Sequence, residues 1–597
     1  MNDSLDRPLL VFDGDCSFCR AWVEYWQRLT GERVLYTPYQ EIDSRFPNLP
    51  REDFASAVTL FLPSGEVRSG AHAVFSVVAL VPGKSWMLWL YVHIPGFAWI
   101  AEMVYRVVAR HRSFCLWVTR ALWGIPIEVE SFGIASWLFL RTLGAVYLFA
   151  FASFAVQAAG LIGSHGISPV GEFLRSVREY YGGGYWQAPT LFWLNAGDSM
   201  IKAVGIGGIC LSVLLLLGAR WRILRFVLFV LYLSLVTAGQ EFMGYQWDAL
   251  LLEAGFLAIL LGSSPVVIWL YRWLLFRLMF LSGAVKLASG DPSWRHFTAL
   301  PVHYETQPLP TPLAWYMYQL PEWFQRGSVG FVFFVELIVP FLIFAPRRVR
   351  FFAARAIVVL QILILLTGNY AFFNVLTIGF CLFLVDDAFW RRRLPKVIGA
   401  VASATTHKSS RAWTRAVCGA FAGLALFVGG FQVVRTFGVR WSVADVVIRS
   451  VSPFQIINSY GLFAVMTTTR PEIVIEGSND GLTWLAYEFK YKPGELGRRP
   501  AWVAPHQPRL DWQMWFAALG DYQSDPWIVR FMARLLQGSP EVLGLLGHNP
   551  FPGGAPRYVR AQLYQYCFTT PAERKSTGAW WSRELKGVYV PAVSLRN

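Results

Sequence analysis

Apolar residues follow three different spacings along this chain, and the places where the spacing changes divide it. Residues 9 to 13 form a short apolar run ending in Asp13, the length of a buried strand. Residues 16 to 29 then put Phe18, Trp22, Tyr25, Trp26 and Leu29 at helical spacing. A second strand is predicted over Ala57 to Leu62, followed by a Pro-Ser-Gly turn and two helix-like stretches ending in "VYRVVARHRSF". Apolar stretches at 73 to 81 and 86 to 101 are short or broken by Pro and Gly, so they read as buried helices and not as membrane spans. From residue 134 the runs lengthen, at 134–160, 200–218, 223–239, 247–262, 265–287, 328–345, 352–367, 371–385 and 415–432, which predicts about nine membrane helices. Beyond 434 the pattern alternates, as in "PEIVIEGSNDG", where Ile473 and Ile475 share a face before an Asn-Asp-Gly turn, so a β-rich domain is expected.

Composition supports the membrane reading: 55% of the 597 residues are hydrophobic, 27 are Trp, and the mean hydropathy is +0.40. The net charge of +15 falls in short clusters beside apolar runs, which orients a membrane protein and argues against a nucleic-acid partner. With nine helices and a cytosolic N-terminus, the clusters at 219–225, 346–350 and 391–396 all lie on the cytosolic side and the C-terminus lies outside. No basic region followed by an apolar segment opens the chain, so no cleavable signal peptide is expected. The seven cysteines include one close pair, which excludes a disulfide-stapled scaffold.

That pair, in "LLVFDGDCSFCRAW", sits where a strand turns into a helix. Cys16 at a helix N-terminus faces unpaired amides that favour a thiolate, and Cys19 one turn on can resolve a mixed disulfide. Asp13 and Asp15 oppose the thiolate unless one of them accepts or relays its proton. A competing reading makes Asp13 the nucleophile of a haloacid-dehalogenase-type phosphatase, but the segment is short and poor in the Lys that such a site needs. Asp13, Cys16 and Cys19 match the Asp-x-x-Cys-x-x-Cys signature, and residues 6 to 115 resemble the DCC family of thiol-disulfide oxidoreductase-like domains. That resemblance implies a thioredoxin-like α/β fold, possession of a redox dithiol, and a cytosolic thiol reductant as a partner.

Ionisable residues within the long apolar runs, Asp248, Glu253, Lys286 and Glu336, are costly in lipid and are expected to pair inside a bundle or line a site. Lys286 either snorkels to the interface or forms an ion pair that makes it a candidate base. Two far-side loops, 161–198 and 289–326, are too long for connectors and rich in Trp, Tyr and Pro, so they either form an aromatic belt, pack over the bundle or bind something. "HQPRLDWQMWFAAL" carries His506, Arg509 and Asp511 in no metal or nucleophile pattern and predicts a helix packed by Trp512 and Trp515.

"RWLLFRLMFLSGAVKLASGDPSWRHFTALPVHYETQPLPTPLAWY", "LTGNYAFFNVLTI", "SPFQIINSYGLFAVMTTTRPEIVIEGSNDG" and "WVAPHQPRLDWQMWFAALG" together resemble the lipase maturation factor family over residues 130 to 597. The resemblance implies a polytopic membrane protein that assists folding and assembly of exported proteins, with secreted dimeric lipases as the clients of eukaryotic members. The fused DCC-like segment departs from the eukaryotic pattern and implies a bacterial inner-membrane version. The organisation expected is therefore a cytosolic domain at 6–115, a transmembrane domain at 130–433 and an extracytoplasmic domain at 434–597. Trp294, His303, Tyr304, Gln307, His506, Arg509 and Asp511 are the client-binding candidates. Two alternatives remain: a membrane-anchored thiol-disulfide oxidoreductase, or an integral-membrane enzyme, since "SGAVKLASGDPSW" is similar to the stretch around the base lysine of gamma-carboxylase. No cofactor or metal is expected.

Overall fold

The computed structural model describes residues 5–42, 54–395 and 412–595; Lys396, the end of one predicted basic cluster, lies outside them. The chain divides into two units, one running through Ser131 with Ala345–Phe352 and Asp386–Arg393, the other comprising most of the remainder.

In the first unit, β1 (Leu9–Phe12), α1 (Ser17–Thr30) and β2 (Leu35–Pro38) form a right-sized β-α-β crossover, with β1 and β2 parallel. β3 (Thr59–Phe61) and β4 (Val67–Ser69) add an antiparallel hairpin, giving the sheet order β2-β1-β3-β4. Leu9, Leu10 and Val11 are fully buried, because a central strand covered on both faces reads as a continuous apolar run. α2 (Gly70–Ala79) packs on this sheet through Ala73 and Val77, as expected for the 73–81 stretch.

The 86–101 stretch departs from expectation. It forms α3 (Ser85–His93) and α4 (Phe97–Arg110), which bury no residue and are bent by 110° around the Pro95-Gly96 break. Trp86, Trp89, Val92, Trp99, Met103 and Val107 are all exposed. α3 is apolar all round between Ser85 and His93 at its ends, so no polar face reveals from sequence which side meets protein. Glu102 anchors α4 to the unit by accepting the Ala71 and His72 amides at 3.3 and 3.0 Å and the Tyr91 hydroxyl at 2.8 Å. α5 (Arg112–Leu122) follows.

Six helices among the described residues are long and apolar enough to cross a membrane: Gly133–Ala155, Asp198–Leu217, Val266–Ala288, Glu322–Phe344 and Ala412–Arg435 in the second unit, and Arg347–Thr367, whose first turns belong to the first unit. Counting the bent α3–α4 pair of the first unit as a broken span makes seven. The expected nine apolar runs are helical, but Arg222–Ala238 has 17 residues and Gln246–Leu260 has 15, and Phe373–Leu384 is shorter still. At 1.5 Å per residue a 15-residue helix covers about 22 Å of a hydrocarbon core near 30 Å. The count of nine is therefore not supported by helix length.

The region beyond 434 is mixed, not simply β-rich. A sheet of Arg470–Ser478, Leu485–Ala486, Tyr558–Phe568 and Trp581–Val593 is accompanied by helices Arg509–Ala517 and Pro526–Leu536. Ile473 and Ile475 are buried as the alternation requires, but so are Val474 and Glu472, so the strand is covered on both faces. Glu472 is tolerated there because Arg470 and Lys492 pair with it at 2.9 and 3.0 Å.

Candidate functional site

The chemistry-bearing residues fall into two groups, one in each unit. In the first unit, Cys16 is the N-cap of α1 and its sulfur accepts the Cys19 amide at 3.3 Å, which sets both cysteines at the helix entrance. Gly14 makes the approach possible: a Cβ there would lie 2.8 Å from Pro38 Cβ. Gln40 binds the preceding loop by receiving the Gly14 amide and donating to Asp13 and Asp15 at 3.2 and 3.1 Å. Asp15 is thus turned toward Gln40.

Asp13 is paired with Arg112, a residue the motif did not suggest, at 3.0 Å. The same guanidinium donates to the carbonyls of Ala55 and Ser56 and interacts electrostatically with Cys16. Burial works against its charge, but Cys19, Cys16 and Asp13 outweigh burial and push Arg112 above its ordinary value. Cys19 is pushed up to about 12, by burial first and by the neighbouring Cys16 second. The pair is therefore asymmetric: Cys16 faces a fixed cation and an amide, while Cys19 is a protonated thiol on the wall of an apolar cavity of about 500 Å³. "VARHRSF" contained the only sequence signal for Arg112, a basic residue at the end of an apolar helix, and nothing in it pointed back to Asp13.

In the second unit the four ionisable residues of the apolar runs are all paired. Lys286 donates to Glu336 at 2.7 Å and to the Ser282 carbonyl at 3.2 Å, and its ammonium stands 5.1 Å from the Trp294 ring centroid. Glu336 lies in a π-helical turn, Phe334–Ile338, that interrupts its span, and Gly283 lets the two helices meet: a Cβ there would lie 2.9 Å from Glu336 Cβ. Glu253 pairs with Arg277 and accepts the Tyr460 hydroxyl and the Asn458 amide at 2.8 Å. Asp248 accepts from the Tyr232 hydroxyl and pairs with Arg509. Lys286 and Glu336 line a cavity of about 430 Å³ whose wall includes Tyr370, Trp512 and Trp515.

Most of the client-binding candidates lie inside the protein. Trp294, Tyr304, Gln307, Arg509 and Asp511 are buried. Trp294 ties the 289–326 loop to the C-terminal region by donating to the Phe463 carbonyl at 2.9 Å, and Asp511 holds the C-terminal region together by accepting the Tyr491 and Lys492 amides at 2.8 Å. His303 meets the Tyr370 hydroxyl at 2.8 Å, and burial, reinforced by Lys286, lowers its pKa to about 4, so it is neutral at physiological pH. His506 meets Ser153 Oγ at 2.9 Å, whereas Arg509 pairs with Asp248. Helix Arg509–Ala517 is packed by Trp512 and Trp515, as the sequence predicts.

Comparison with known proteins is decisive for the second unit. Lipase maturation factor 2 of Gallus gallus is 38% identical over 582 residues, covering 77% of this chain and 81% of that protein. The chain belongs to the lipase maturation factor family. Lipase maturation factor 1 of Bos taurus is 35% identical over 520 residues, covering 80% of this chain and 92% of that protein. The family models for the lipase maturation factor transmembrane domain and C-terminal domain match residues 134–392 and 456–591. A DCC1-like thiol-disulfide oxidoreductase model matches residues 10–117, which span the dithiol and Arg112. No solved structure matches the chain.

Proposed function

We propose that this membrane protein assists the folding or assembly of exported proteins, lipases among them, with the Cys16/Cys19 dithiol as a redox-active accessory. The observation that carries this reading is the relation to proteins named lipase maturation factor along more than three quarters of the chain. Expressing an exported lipase with and without the full-length protein, and measuring active lipase per unit of lipase antigen, tests it. A several-fold higher specific activity with the protein is expected; equal specific activity would refute the reading.

The sheet order β2-β1-β3-β4, with a parallel β-α-β crossover followed by an antiparallel hairpin and α2, supports a thioredoxin-like fold for the first unit. The fused DCC-like segment supports reading the membrane as a bacterial inner membrane, and a cytosolic N-terminal unit with the C-terminal region outside is the orientation that keeps all three basic clusters cytosolic, which requires the shorter helices Arg222–Ala238, Gln246–Leu260 and Phe373–Leu384 to cross as well. A membrane-impermeant maleimide applied to intact cells should then spare Cys16 and Cys19 and label a cysteine introduced at exposed Leu482. Labelling of Cys16 and Cys19 before lysis would invert the assignment.

A further inference from the structure

Three features of the first unit converge on a ligand. The 500 Å³ cavity has the size of a small-molecule site and is lined almost wholly by apolar groups, with Phe18, Trp22, Phe75 and Phe97 offering flat faces. Apart from Tyr105, whose hydroxyl accepts the Val58 amide at 2.9 Å, its polar lining groups Cys19, Asp13 and Arg112 belong to the dithiol cluster. Ile100 and Val104 line the cavity and are also half exposed, on an α4 whose Trp99, Met103 and Val107 stand in the open beside Trp86 and Trp89 of α3. The cavity therefore opens onto an apolar, Trp-rich face, and Arg106 and Arg110 on the same helix are suited to anionic headgroups.

A soluble dithiol that exchanges with glutathione or a protein thiol has no use for such a wall. We propose that the cavity takes a membrane-dissolved quinone, delivered through the lipid interface in which α3 and α4 lie, and that the quinone oxidises the Cys16/Cys19 dithiol. The inference rests on the proposed redox role of the pair and holds for either membrane orientation. The step balances as it stands. Two S–H bonds break, one S–S bond forms between Cys16 and Cys19, and the two electrons and two protons released reduce both quinone oxygens to hydroxyls. The aromatic wall matches a planar ring, and the open apolar face matches its isoprenoid or alkyl tail. The Asp13–Arg112 pair keeps charge at the cysteine end, where the ring's oxygens would sit.

The test uses the full-length protein, reduced and oxygen-free in lipid nanodiscs, with a decyl-chain ubiquinone as the probe and diamide as a small soluble oxidant. Disulfide formation between Cys16 and Cys19 is followed by mass spectrometry alongside quinol formation. One quinol per Cys16–Cys19 disulfide is expected. Filling the cavity, with Ala101→Trp or the milder Val108→Phe, should slow quinone-driven oxidation about tenfold or more, while oxidation by diamide stays near the wild-type rate and shows that the unit is folded. If diamide forms the disulfide and the quinone does not, or if the filled variants react with quinone as fast as wild type, the quinone proposal is overturned. If diamide also fails to join Cys16 to Cys19, the redox reading of the dithiol falls with it.

Discussion

Arg509→Ala is expected to be among the most damaging single substitutions outside the apolar core, lowering the stability of the second unit by about 3–5 kcal/mol. Arg509 is fully buried and gives both guanidinium ends to Asp248, with Nη2 2.9 Å from Oδ1, and Nη1 also donates to the Phe242 carbonyl at 3.1 Å. Its removal leaves the Asp248 carboxylate, itself fully buried, with the Tyr232 hydroxyl as its remaining partner. An uncompensated buried charge costs far more than the lost contact area. The pair also joins regions 261 residues apart, so its loss loosens the C-terminal helix from Gln246–Leu260. Arg509→Lys should recover little, because a single ammonium cannot reproduce the two-pronged contact. Asp248→Leu combined with Arg509→Leu should be closer to wild type than either single change. Thermal unfolding of the purified protein in detergent reads all five variants. Melting of Arg509→Ala at the wild-type temperature would show that the pair does not hold the two regions together.

Local and long-range features differ in how far the sequence exposes them. Cys16 and Cys19 were legible because their meaning is local: a strand, a turn and a helix entrance within a dozen residues fix both sulfurs. Arg112 was not, because it reaches Asp13 across 99 residues and only the folded sheet brings them together. The same limit explains the membrane charges. Their expense in lipid announced that Asp248, Glu253, Lys286 and Glu336 needed partners, but the partners Arg509 and Arg277 are chosen by tertiary packing. Asp248 and Glu253, five apart, do serve different neighbours, as their helical spacing implies. The α3–α4 stretch misled for the opposite reason. Breaks at Pro and Gly argue against a simple span, yet they do not say whether the apolar residues face protein or lipid, and here Trp86, Trp89 and Trp99 face outward.

Lys286 and Glu336 pose the sharper functional question, and their substitutions should separate architecture from chemistry. Lys286→Met leaves Glu336 buried without its 2.7 Å partner, and Glu336→Leu does the same to Lys286, so each should cost about 3–5 kcal/mol. The double variant Lys286→Met/Glu336→Leu replaces the pair by apolar groups of similar volume and should regain most of that stability. The ammonium's position over Trp294 and the Gly283 contact between the helices predict incomplete recovery, because the cation–π contact is lost and leucine branches where glutamate does not. Thermal unfolding tests this directly: a double variant no more stable than the worse single one would mean that the pair does more than cancel two charges. The lipase-yield assay on the same double variant then has a clear reading. Normal lipase maturation would confine the pair to holding the Val266–Ala288 and Glu322–Phe344 helices together. A stable double variant that fails to mature lipase would instead place Lys286, on the wall of the 430 Å³ cavity, in the chemistry or ligand binding of the second unit.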